Sequence, residues 1–277
     1  MEISGGAPIV KNSIFKNTYS GIVIAGGSKA EITGNYFEEI KYTQGAVFVG
    51  DSCPILKDNT GQNNVLNGIY FYGSIDDDCT FYQNDNFPYI ADFKVANTGN
   101  LIIKPGVIFK FKKYGKLDVE GGLFAQGSPD KKIIFTSLAD DYGGDTNNDG
   151  SSAETRIFFW DKIYFNANGE GSFIKNAEIR YGGIPDPDFR YRGVIYVVQT
   201  GVELEDIYFK NNGPSGHTLY LENSSSTVKN SIFDNNEIGN GTAITITGQD
   251  QNVLENNAFQ GFSCNIRKDG QCILPLP

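Results

Sequence analysis

Histidine, tryptophan and methionine each occur once in this chain of 277 residues. With one histidine, His217, no Ser-x-Gly elbow and no cysteine partner in evidence, there is no base on which to build a nucleophilic triad. The sequence also lacks His/Cys spacings of the kind that hold zinc, and it has no glycine-rich phosphate loop opening a helix. No apolar run approaches the roughly 18 residues of a membrane span, so no span is expected. Positive charge is scarce: 23 Lys and Arg stand against 33 Asp and Glu, a net charge of −10. A phosphate backbone would be repelled, which argues against nucleic acid as a partner. Met1-Glu2-Ile3-Ser4 has no charged segment ahead of an apolar one, so it does not read as a signal peptide.

Cysteine is sparse but even in number, at 53, 79, 264 and 272. Cys264 and Cys272 enclose "NIRKDGQ", whose Asp-Gly is a turn signal, so a small disulfide-closed hairpin is expected there. The state of Cys53 and Cys79 is left open. Such a hairpin implies an oxidising, extracytoplasmic setting; four reduced, partly buried thiols are the alternative.

What the chain has in quantity is repetition. "KNSIFKN" begins at Lys11 and "KNSIFDNN" at Lys229. Phe15, Phe37 and Gly61 share one slot, and Phe209, Phe233 and Phe259 share it again, at spacings of 22 to 26. A second slot follows each time, in "GIVI", "GAVF" and "GIYF", then in "VIYV", "TLYL" and "AITI". A period in this range means stacked supersecondary units. The segments are too short for helices, alternate with period two, and are bounded by Gly, Asn and Ser, so each period holds two or three short strands. Asn suits the corners because it tolerates left-handed backbone and its amide can bond the next coil.

This pattern resembles the right-handed parallel β-helix proteins, in particular the pectate-lyase-like repeat proteins of microbial surfaces. The stretch "LIIKPGVIFKFKKYGKLDVEGGLFAQGSPDKKIIFTS" over 101–137 looks like the Pro-Gly turn, Gly-Lys-Leu strand and Ile-Phe-Thr-Ser coil of such proteins. The fold expected is therefore all-β, a single-stranded right-handed parallel β-helix (solenoid) of about eleven coils and roughly 50 Å in length. One domain would cover 1–277, with a calcium-type loop inserted at 138–156 and a second insertion at 181–193. "GGAPIVKNSIF" already reads as coil interior. A piece of a larger protein, or a helix whose N-terminal end is covered by something else, is expected, as a monomeric domain.

Two segments carry chemistry. In "DTNNDGSSAE", Asp145, Asn147 and Asp149 alternate before Gly150, as in the first half of an EF-hand or dockerin-type loop. The Ser151 carbonyl would be a fourth ligand. The acid wanted at the twelfth position is replaced by Arg156, so Glu154, Asp140 or Asp141 must complete the set. Ca2+ in a structural role is expected; a metal-free polar turn is the alternative. The 181–193 insertion carries Asp186, Asp188, Arg190 and Arg192. Paired carboxylates could serve a glycoside hydrolase and arginine a polysaccharide lyase, or the loop could be solvated and held by local ion pairs.

Alternation places Tyr196 and Tyr220 on the outside, one above the other. With Tyr181 and Tyr191 they form a candidate surface for sugar rings; cross-strand stacking is the plainer reading. Tyr70 and Tyr72 face out in the first half. Lys104, Lys110, Lys112, Lys113 and Lys116 form a stripe that could attract an acidic glycan, although a solvated face explains it. His217 is read as a coil-corner residue, and Trp160 as core or coil edge.

The function expected is a non-catalytic, calcium-stabilised domain of an extracellular or cell-surface protein, binding polysaccharide or a cell-surface glycan, or acting in adhesion. A lyase or hydrolase working through the 181–193 loop, and a structural spacer or spike segment, are the rivals.

Overall fold

The computed structural model describes residues 1–150, 159–169, 171–184, 193–213, 216–239 and 241–273. Among them there is no helix. About 52% of these residues are strand, wound into a solenoid of about 10 turns. Strands of successive coils pair in parallel, from Glu2–Ser4 with Ile22–Ala25 up to Thr242–Asp250 with Cys264–Lys268.

The coils build three walls. The first stacks Ile22–Ala25, Val47–Gly50, Ile69–Ile75, Tyr89–Val95, Leu117–Val119, Ile163–Phe165, Ile195–Val198, His217–Ser224 and Thr242–Asp250. The second wall starts at Ile9–Lys11 and the third at Ile14–Lys16, each paired to its equivalents in the next two coils. In the second half, Phe173–Arg180 and Glu203–Lys210 run through the corner between the second and third walls without a break, and Tyr89–Val95 pairs with both Ile108–Phe111 and Leu117–Val119, so 23 strands join in one sheet.

Each coil exposes one face of its short strands and buries the other, and no coil could bury its apolar side alone. Ile195, Val197, Leu219, Leu221 and Ile244 all point inward and are sealed from solvent. The phenylalanine slot forms a column of rings, with Phe209 on Phe233 at 4.4 Å and Phe233 on Phe259 at 5.2 Å. Near the other end Phe15 lies on Phe37 at 5.1 Å. Gly61 then occupies the slot, and the ring of Phe87 fills the space, 5.4 Å from Phe37. A Cβ on Gly61 would meet that ring at 2.7 Å, so glycine is required for the substitution of one ring by another.

The repeated "NSIF" is one corner met twice. Asn12 and Asn230 both adopt left-handed backbone, at φ 49° and 53°. The backbone amides of Ser13 and Ser231 donate to the side-chain oxygens of Asn35 and Asn257 in the next coil, each at 3.0 Å. Ile14 and Ile232 face solvent while Phe233 packs inside. Between Ser13 and Asn84 these bonds form a ladder: the Asn35 amide donates to Asn59 at 3.1 Å and the Asn59 amide to Asn84 at 2.9 Å. Serine takes over higher up, where Val202 and Ile207 donate to Ser226 and Ser231, each at 3.1 Å. Buried backbone donors need partners, and polar side chains at the corners of the next coil supply them.

Both cysteine pairs are bonded. Cys264–Cys272 closes the antiparallel hairpin of Cys264–Lys268 with Gln271–Ile273, turning at Asp269 and Gly270, φ 45° and 83°. Cys53–Cys79 ties two neighbouring coils together.

Candidate functional site

The first wall carries on its outer side a column set by strand register. Lys94 pairs with Asp118, Asp118 with Tyr164, Tyr164 with Tyr196, and Tyr196 with Tyr220. The rings follow the register: Tyr164 and Tyr196 are 5.1 Å apart and tilted, Tyr196 and Tyr220 are 5.6 Å apart and edge-on. Tyr196 remains half-exposed and donates its hydroxyl hydrogen to Glu222 at 2.5 Å. Tyr220 is only 8% exposed, with His217 against its edge. His217 in turn meets the Thr245 hydroxyl at 2.7 Å through Nδ1.

A trough of about 260 Å³ lies along this column, lined by Lys116, Asp118, Glu120, Lys162, Tyr164 and Tyr196. Its two lysines are matched by carboxylates, Lys116 to Asp118 at 2.7 Å and Lys162 to Asp161 at 3.4 Å, and its Glu120 meets Lys94 from outside the trough at 3.7 Å. Burial lifts the Asp161 carboxyl above the usual aspartate range, and the Lys162 ammonium works against that shift. Tyr164, Asp118 and Lys162 escape a reading confined to the two best-matched repeats. Aligning "KIYF" with "VIYV" and "TLYL" puts Tyr164 in the same slot, which is the signal that finds it.

The lysine stripe does not form a cationic face. Lys110 leaves its strand on the outer side, as alternation requires, yet it is 0% exposed. The inserted loop lies over it, and its ammonium donates to the carbonyls of Asp140 and Gly144. Burial lowers its pKa to about 8, against the pull of Asp140, Asp141, Asp145 and Asp149. Lys112 is half-buried with its ammonium 4.1 Å above the Tyr70 ring. Tyr70 is itself covered, in a satellite cluster with Leu66, Ile90, Phe48 and Leu138. Tyr72 stays exposed.

That loop runs back over earlier coils. Thr146 accepts from the Asn67 amide at 2.8 Å, and the Asn148 side chain donates to the Asn64 carbonyl. At its crest the carboxylate oxygens of Asp141, Asp145 and Asp149 come within 4.8 Å of one another. Asn147 stands beside them, donating to Asp149 at 2.6 Å. Oδ1 of Asp145 and Oδ1 of Asn147 are sealed from solvent and accept no hydrogen bond. Asp140 is engaged elsewhere: Thr136 donates to its Oδ2 at 2.6 Å, and Arg180 lies 3.4 Å from the same oxygen. Ser151 and Glu154 lie outside the described residues, as do Asp186, Asp188, Arg190, Tyr191 and Arg192. Tyr181 sits nearly buried at a corner with Arg180 5.4 Å from its ring, and the register does not bring it into the tyrosine column. Trp160 is core, stacked 4.3 Å from Phe111.

Comparison with known proteins gives one family. Residues 2–122 match the family described as the right handed beta helix region. No curated protein and no solved structure matched the chain. No helix among the described residues is long and apolar enough to cross a membrane.

Proposed function

We propose that this right-handed parallel β-helix repeat protein is a non-catalytic domain of an extracellular or cell-surface protein that holds a polysaccharide along its first wall. The observation that carries the reading is the column of Tyr164, Tyr196 and Tyr220 beside an open trough. Tyrosine rings offer an apolar body with a polar tip, which suits sugar faces and their hydroxyls. A polymer lying along the axis meets the half-exposed rings of Tyr164 and Tyr196 on successive coils, about 4.8 Å apart, with nearly buried Tyr220 backing the end of the column. A shallow, open trough accommodates the side of a long chain. Two disulfides support an oxidising location, since such bonds persist outside the reducing cytosol. The test is affinity electrophoresis through gels containing soluble polysaccharides. Retardation by at least one of them is expected, with Tyr196→Ala and Tyr164→Ala each weakening it while the circular dichroism of the strands is unchanged. Unretarded migration through every polysaccharide would overturn the reading.

We further propose that calcium is bound at the crest of the 138–150 loop by Asp141, Asp145, Asn147 and Asp149. Hard oxygen donors suit a calcium ion, which would fill its remaining positions with carbonyls or water, and the two sealed, unbonded oxygens of Asp145 and Asn147 are acceptors in want of a cation. Such an ion would tie the loop's own turns together, holding the shape in which Thr146 and Asn148 reach the coils beneath. An ion bound only by the native state stabilises it by about 2.7 kcal/mol at a hundredfold excess over its Kd. Calcium is therefore expected to raise the melting temperature and EDTA to lower it, with Asp145→Ala abolishing the response. A transition indifferent to both would remove the ion.

A further inference from the structure

A second depression lies where the chain leaves the first wall, just past the tyrosine column. It has a volume of about 210 Å³ and is lined by Gln199, Thr200, Asn223, Ser225, Gln249 and Gln251 among others. These residues come from three successive coils. Gln199 follows the strand that holds Tyr196, Asn223 belongs to the strand that holds Tyr220, and Gln249 to the one stacked upon it. We infer that this corner is a subsite for a single uncharged sugar unit. The inference rests on the polysaccharide reading for its class of ligand and adds where the chain continues and what charge it bears.

Three observations carry it. No charged residue lines the depression among the described residues. Thr200 is 7% exposed, and its hydroxyl oxygen is sealed from solvent without a hydrogen-bond partner. Around it stand the carboxamides of Gln199, Gln249 and Gln251, exposed at the rim. A carboxamide presents an acceptor and two donors, so such a rim offers both kinds of site side by side. Sugar hydroxyls match it, since each both donates and accepts. A carboxylate or sulfate accepts only, and would find no cation here in a chain of net charge −10. An apolar ligand would take the rim carboxamides from water without pairing them, a cost of about 1–3 kcal/mol per buried group. The volume falls below the roughly 300 Å³ at which sites for drug-sized ligands begin, which fits one ring of a longer chain. The trough beside the tyrosines points the same way, because its two lysines, Lys116 and Lys162, are already matched by Asp118 and Asp161.

The test titrates the full chain calorimetrically with neutral hexasaccharides of glucose, mannose and galactose and with oligogalacturonate. At least one neutral chain is expected to bind and oligogalacturonate to fail. Thr200→Val, and separately the double variant Gln199→Ala with Gln249→Ala, should each weaken the neutral ligand about tenfold, the weight of one or two hydrogen bonds. The rim glutamines are exposed, so the double variant keeps its strand signal. Binding of oligogalacturonate in preference, no binding of any neutral chain, or unchanged affinity in both variants would each overturn the subsite. Weakening in Tyr196→Ala alone would leave the tyrosine wall standing and remove the corner. Weakening in the corner variants alone would do the reverse.

Discussion

Asn59 shows what one side chain does in this architecture. It is fully buried, its Oδ1 accepts from the backbone amide of Asn35 at 3.1 Å, and its Nδ2 donates to the Ile32 carbonyl at 2.8 Å. Replacing it with alanine strands a donor and an acceptor in the interior, each costing about 1–3 kcal/mol. Asn59→Ala should therefore lower stability by about 2–4 kcal/mol in urea denaturation. Gln62→Ala, three positions on and exposed, should stay within about 0.5 kcal/mol of the parent. If the two variants unfold alike, the ladder does not contribute as described.

At the scale of elements, alternation within a strand tells which side a residue leaves, and it served well for Tyr196 and Tyr220. It cannot tell what is later laid upon that side. Lys110 is the case in point: its direction follows from "IFKFK", but its burial follows from a loop thirty residues on. Register is equally invisible to inspection of a single segment, which is why the Cys53–Cys79 bond needed coordinates while the Cys264–Cys272 hairpin was legible from its Asp-Gly turn. Periodicity carried most of the fold, because a slot that repeats every two dozen residues must stack. The candidate site was half legible: its tyrosines lie in repeat slots, whereas Thr200 and the rim glutamines sit in corners, where side-chain identity follows no apolar pattern. The Cys53–Cys79 loop gives a prediction at this scale. Converting both to serine should cost about 3 kcal/mol, since a bond across a loop of this length removes that much freedom from the unfolded chain. Differential calorimetry of the double variant checks it.

For the whole molecule, the alkaline limb of stability is set inside the rod. Tyr89 is sealed within the core, and burial, opposed by its hydrogen bonds with the Tyr82 carbonyl and the Asn84 amide, pushes its hydroxyl far above the ordinary tyrosine value. Burial and Asp234 also raise Tyr208, to about 12. A phenol whose folded pKa exceeds its unfolded value is neutral in both states below pH 10, so its contribution is complete there. Above about pH 10 the unfolded chain alone ionises, and stability falls by about 1.4 kcal/mol per pH unit for sealed Tyr89 and by less for Tyr208, which solvent screens. Urea midpoints followed from about pH 9 to pH 11 should show this fall, and Tyr89→Phe should make it shallower. An unchanged slope in that variant would mean that another group sets the limb.

The two disulfides differ in what they join, and that difference has a mechanical consequence. A solenoid held by nearest-neighbour contacts comes apart under tension by peeling, one turn after another. A rupture travelling inward from residue 1 meets a covalent weld between adjacent turns at Cys53 and Cys79, and there the chain between the two cysteines is withheld from the released length until the bond is cut. The Cys264–Cys272 link closes within a single hairpin and withholds nothing beyond it from a rupture on the other side. The rod is thus a fabric with a locked stitch near one selvedge and none near the other, and it resists unravelling by direction.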